Sequence, residues 1–126
     1  MNFTRNWRDN MPEIREEAMV QCAVDAILDK KGYNVKSLKV GDVTPITDYF
    51  VVASGSNISQ VDALVDNVEE KMRDAGYTIV TREGRGQGGW VLLDYSEVVI
   101  HLFTSEMREF YNLDGTWRDV ESKLYD

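Results

Sequence analysis

Two apolar runs late in the chain, Trp90–Tyr95 and Val98–Phe103, are separated only by Ser96 and Glu97. So short a link joins strands only as an antiparallel hairpin, because a parallel return needs about a dozen residues. Side chains alternate along a strand, so Trp90, Leu92 and Asp94 share one face and Val91, Leu93 and Tyr95 the other. Both faces are apolar. The helices offered by the rest of the sequence can cover one of them well, and too few elements remain for the second. An open sheet face carrying a tryptophan, a leucine and a carboxylate has the make-up of a protein-docking surface. The competing arrangement is a strand buried on both sides within a two-sided core.

Earlier in the chain, Tyr49–Ala53 is an apolar run rich in β-branched and aromatic residues, as expected of a central strand. A turn over Ser54–Asn57 follows, with Asn57 and Gln60 marking a helix start. Val61, Leu64, Val65, Val68, Met72 and Ala75 then fall on one helical face, and Gly76 ends the helix. Thr78–Thr81 is the predicted next strand, making a strand–helix–strand unit with a right-handed crossover. Ahead of this, a helix is expected to begin near Met11 or Pro12, capped by Asn10 with Glu13 answering. Its stripe is Met19, Cys22, Ala23, Ala26 and Ile27, and Gly32 closes it. Val35–Val40 reads as a short strand with Lys36 and Lys39 outward. Ser105–Tyr111 and Leu113–Leu124 read as one or two short helices.

The predicted fold class is therefore α+β, a mixed β-sheet with helices packed against it. Residues 11–120 form one domain, between an arm over residues 1–10 and a tail over residues 121–126 that frays from Leu124. A chain of 126 residues with 43% apolar content is long enough for a core of its own. The single cysteine, Cys22, excludes an intrachain disulfide and a cysteine-rich zinc site. There is no apolar leader segment and no run near the roughly 20 apolar residues of a membrane span, which points to the cytosol. The net charge of −8 repels phosphate, so nucleic-acid binding through counterion release is not expected. Attraction to a basic protein is.

Candidate chemistries find little support. Gly84–Gly89 matches G-x-G-x-x-G, but a strand follows where the dinucleotide motif needs a helix, so it is a connection between strands. His101, the single histidine, lies in an apolar strand, and Cys22 lies on an inward helical stripe. Ser54-Gly55-Ser56 lacks the flanking glycines of a nucleophile elbow. Asp62, Asp66, Glu69 and Glu70 read as the solvated face of a helix rather than a cation site. Gly55-Ser56 at a strand end resembles the phosphate-contacting start of nucleotidyltransferases. Two-metal chemistry also needs paired carboxylates on the next strand, and Asp94 stands alone. No catalytic residue, cofactor or metal is expected.

Several segments together resemble the ribosome silencing factor (Iojap-like) family. They are Thr47-Asp48-Tyr49-Phe50-Val51-Val52 with Ser54-Gly55-Ser56, Arg82-Glu83-Gly84, Gly89-Trp90-Val91-Leu92-Leu93-Asp94-Tyr95, Val98-Val99-Ile100-His101, and Arg108-Glu109-Phe110-Tyr111 with Leu113 and Trp117. The match runs in order over residues 13–118. The resemblance implies a nucleotidyltransferase-like α+β fold without catalytic carboxylates, not an enzyme. It implies binding to the large ribosomal subunit through ribosomal protein L-fourteen, blocking small-subunit docking and lowering translation under nutrient limitation. Homodimers through the same surface are implied as well. Carried over, the contact surface is Trp90, Leu92 and Asp94, with Tyr95 and His101 nearby and Asp94 pairing with a lysine or arginine. The alternative is a nucleotide-binding or nucleotidyltransferase-type enzyme on the same fold. Ser96 stands where the family usually has glycine, Gly115-Thr116 interrupts the C-terminal pattern, and Gly84–Gly89 is unusually glycine-rich.

Overall fold

The computed structural model describes the backbone of residues 2–125 and the side chains of residues 14–84 and 87–125. In chain order the elements are α1 (Asn2–Asp29), β1 (Tyr33–Lys39), β2 (Tyr49–Gly55), α2 (Ile58–Asp74), β3 (Thr81–Arg85), β4 (Trp90–Asp94), β5 (Val98–Thr104), α3 (Ser105–Tyr111), α4 (Leu113–Thr116) and β6 (Ser122–Leu124). The six strands form one mixed sheet in the order β3-β4-β5-β2-β1-β6. The α+β class and the β4–β5 hairpin agree with the sequence reading.

The strand partners differ from it. β2 pairs in parallel with β5, from Tyr49↔Val98 to Gly55↔Thr104, and not with a strand at Thr78–Thr81. Residues 77–80 form no strand; β3 begins only at Thr81 and pairs antiparallel with β4. Composition explains the exchange. The central place beside β2 is covered on both sides and requires a strand apolar on both sides, which Val98–Phe103 supplies. Thr81–Arg85, with Arg82, Glu83 and Gly84, suits an edge. The C-terminal segment differs too: Leu113–Leu124 holds one helical turn and then β6, which pairs antiparallel with β1. Tyr125 anchors this end through its N–H to Val35 O at 2.9 Å and its hydroxyl with Ser37 Oγ at 3.0 Å. Leu124 is therefore paired into the sheet.

α1 runs back to Asn2 where a start near Met11 is expected. The expected Asn10–Glu13 cap rests on side chains outside those described. Its C-terminus is a Schellman turn: Gly32 N–H donates to Ile27 O at 2.9 Å and Lys31 N–H to Leu28 O at 3.0 Å. Lys31, rather than Gly32, takes the left-handed conformation (φ 65°). Gly32 is required for space, since a Cβ there would lie 2.4 Å from Ile27 Cγ2. α2 starts as expected, with Asn57 Oδ1 accepting from Gln60 N–H at 2.9 Å.

The helices α1 and α2 both pack on one side of the sheet. Met19, Ala23, Ile27, Leu64, Val68 and Met72 meet Val51, Ala53, Val91, Leu93, Ile100 and Leu102 there in one buried cluster. The other side has only a small cluster of Leu38, Val40, Val52 and Phe103, roofed partly by Met107, Leu113, Trp117 and Val120. That roof is tied down by Arg108. Its guanidinium donates to both carboxylate oxygens of Asp114 (3.1 and 3.0 Å), to Ser54 Oγ (3.0 Å) and to the Asn34 carbonyl. The pair with Arg108 holds the Asp114 carboxyl below its ordinary range.

Candidate functional site

The two faces of β4 have different fates. Val91 and Leu93 are fully buried beneath the helices, whereas Trp90, Leu92 and Asp94 are half-buried on the opposite side. The β4–β5 register sets Trp90 opposite Phe103, Leu92 opposite His101 and Asp94 opposite Val99. On the β3 side, Glu83 stands opposite Leu92 and Thr81 opposite Asp94. The two-sided buried core considered for this strand is therefore not what forms. At the margin of α3, whose Tyr111 touches Trp90, a ledge of Trp90, Leu92 and Asp94 is left only partly covered.

Trp90 is held by its neighbours. Its ring lies 5.2 Å from Phe103 with planes 20° apart and 4.6 Å from Tyr111. Its indole N–H donates to His101 Nδ1 at 3.2 Å. His101 is buried, with Phe50 edge-on at 4.7 Å, and burial pushes its imidazole down to about 4. Asp94 Oδ1 accepts the Ser96 N–H at 2.7 Å, which orients the carboxylate at the end of β4. Ser96 itself sits at φ 75°, a left-handed position that glycine adopts without strain. Gly84 has a similar reason in the neighbouring hairpin: at φ 79°, a Cβ would meet the Trp90 carbonyl oxygen at 2.3 Å.

Of the residues expected at the docking surface, the structure brings Trp90, Leu92 and Asp94 together and places His101 beneath them. It does not bring Tyr95, which points into the helix-covered core at 3% exposure. Burial there pushes its phenol up to about 12. Period-two alternation already separates Tyr95 from Trp90, and only the family resemblance set it near the contact surface. Two further aromatics belong beside the ledge. Phe110 and Tyr111 at the end of α3 are 73% and 45% exposed, stacked edge-to-face at 5.2 Å, and Tyr111 touches Trp90. A solvent-facing Phe-Tyr pair in a short helix was the available signal.

The catalytic alternatives are not assembled. His101 points to the open side, while Cys22 packs at the helix-covered core, its thiol raised by burial and its Sγ 3.6 Å from the Lys71 carbonyl. Ser54 Oγ is taken by Arg108. At the start of α2 the Ser56 N–H is taken by Gln60 Oε1 at 2.6 Å, so an amide that would face a phosphate already has a partner. Glu69 pairs with Arg82 at 3.2 Å, and among the described residues no group of three or more His, Cys, Asp or Glu could hold a metal ion. No described helix is long and apolar enough to cross a membrane.

One sheet face is built into the core and the other is only partly covered. Residues 12–126 match the family model described as ribosomal silencing factor during starvation. The ribosomal silencing factor RsfS of Halalkalibacterium halodurans is 34% identical over 82% of this chain and 89% of its own. The RsfS of Chromobacterium violaceum is 34% identical over 83% and 84%. A crystal structure of a protein from Chromobacterium violaceum, 30% identical, superposes with a TM-score of 0.78 over 87% of this chain and 92% of that one. The chain belongs to the ribosomal silencing factor family.

Proposed function

We propose that this protein binds the large ribosomal subunit through ribosomal protein L-fourteen, using the ledge of Trp90, Leu92 and Asp94. Seated there, it occupies the ground on which the small subunit would dock, and it lowers translation under nutrient limitation. The observation that carries this reading is the asymmetry of β4. A tryptophan and a leucine stay only partly buried beside a carboxylate, although the same strand buries Val91 and Leu93 completely. A buried-edge tryptophan ringed by aromatics is the usual form of an interface anchor, and Asp94 is placed to pair with a lysine or arginine. The net charge of −8 favours a basic ribosomal protein over ribosomal RNA.

On this reading the protein works in the cytoplasm as a regulator and not as an enzyme, without cofactor. Free copies pair as homodimers through the same apolar ledge. Sedimenting purified large subunits with the protein tests the proposal. Co-pelleting at micromolar concentration, with fewer joined ribosomes on adding small subunits, is the expected result. If the protein stays in the supernatant while a nucleotide raises its melting temperature, the enzymatic alternative on this fold takes its place.

A further inference from the structure

The docking ledge rests on a residue that cannot itself reach a partner. His101 is 4% exposed, below Trp90 and Leu92. Because its Nδ1 accepts the Trp90 indole N–H at 3.2 Å, the neutral ring carries its proton on Nε2. That nitrogen is buried and has no hydrogen-bond partner among the described residues. Burial keeps the imidazole neutral at physiological pH, so Nδ1 remains an acceptor.

A buried N–H without an acceptor is a cost to folding. Between Phe50, Phe103 and Trp90, a phenyl ring would fill the same space without that cost. What a histidine adds over a phenylalanine at this point is Nδ1. Trp90 needs it for a geometric reason. Stacking against Phe103 and Tyr111 constrains the plane of the indole but not which edge turns inward, since rotation about the terminal ring torsion is broadly two-fold. The hydrogen bond selects the flip that hides the N–H and leaves apolar ring edge outward.

Building on the docking reading above, we propose that His101 is a positioning residue: it locks the Trp90 indole in its docking orientation, at the expense of leaving its own Nε2 unpartnered. Its contribution to binding passes through Trp90 and not through contact with the partner.

Two substitutions separate this from an ordinary core role. His101→Phe keeps a ring and removes the acceptor; His101→Asn restores an acceptor oxygen near the place of Nδ1. In proton–nitrogen NMR spectra, the Trp90 indole N–H is expected to be shifted and slow to exchange in the parent and in His101→Asn, and to lose both properties in His101→Phe. Affinity for purified large subunits should fall roughly fivefold in His101→Phe and recover in His101→Asn. The melting temperature of His101→Phe should equal or exceed that of the parent. In a Trp90→Phe background, which has no indole N–H, His101→Phe should cost no further affinity. An unchanged indole resonance in His101→Phe, or an equal loss of affinity in the Trp90→Phe background, overturns the proposal. If no variant, nor the parent, binds large subunits while the indole resonance responds as expected, the docking reading fails and the positioning of Trp90 by His101 stands.

Discussion

The two sides of the same hairpin make the most informative comparison in this molecule. Towards α1 and α2, β4 and β5 contribute Val91, Leu93, Ile100 and Leu102, all fully buried in one contiguous cluster. Towards the other side they contribute Trp90, Leu92, Asp94, Val99, His101 and Phe103, and there the three β5 residues are buried while the three of β4 are only partly so. None of the four side chains on the first side is polar; the second side has a carboxylate, an imidazole whose Nε2 has no partner among the described residues, and exposed aromatics at its margin. One side carries the larger core cluster, and the other is only partly roofed. Identical strands serve both ends because side chains alternate while the helices cover a single side.

The largest expected effect tests that contrast at adjacent positions. Leu93→Ala should cost about 3 kcal/mol in urea unfolding, the range for a fully buried leucine whose site cannot collapse, while Leu92→Ala next to it should cost under about 1 kcal/mol. Equal losses would mean that both faces are core. His101 supplies the next effect. Its folded value near 4 lies below the 6.5 of the unfolded chain, so the unfolded state takes up the proton first as pH falls. Stability should hold above pH 6.5 and decline between 6.5 and about 4, by roughly 3 kcal/mol in total. Unfolding curves for the parent and His101→Phe across that window isolate this contribution, which the variant should lack.

Trp90→Ala comes third. It should weaken association with large subunits by about 2 kcal/mol and leave the circular dichroism spectrum intact; collapse of the spectrum would return Trp90 to the core. Smallest is Ser96→Gly, which relieves a left-handed residue in the β4–β5 turn while keeping the N–H that Asp94 accepts. A gain of about 0.5 kcal/mol in thermal stability, with binding unchanged, is expected.

Much of this was legible in the chain. The α2 face, its Asn57 cap and the glycine that ends it follow local rules, and so does the hairpin forced by the Ser96-Glu97 link. Its alternation also separated Trp90, Leu92 and Asp94 from Val91 and Leu93. The pairing of β2 with β5 was not legible, because Tyr49 and Val98 meet across a long stretch of chain and local pattern holds no record of such partners. β6 was missed for a related reason. Ser122, Lys123 and Leu124 are all exposed, so no burial pattern marks them, and only the free edge of β1 makes them a strand. Phe110 and Tyr111 could not be assigned to the ledge until α3 was placed beside Trp90.

The amino-acid sequence by itself thus determined which side chains travel together, since helical and strand periods are properties of the backbone and need no partner. It also determined the excess of acidic over basic residues, a net charge of −8. Tertiary structure alone decided which of the two apolar faces would be covered. That choice depends on where both long helices pack, on the order in which six strands pair, and on Arg108 tying α3 and α4 over only part of the second face. Each of these is a sum of contacts between residues distant in sequence, and it is this sum that leaves Trp90 only partly covered.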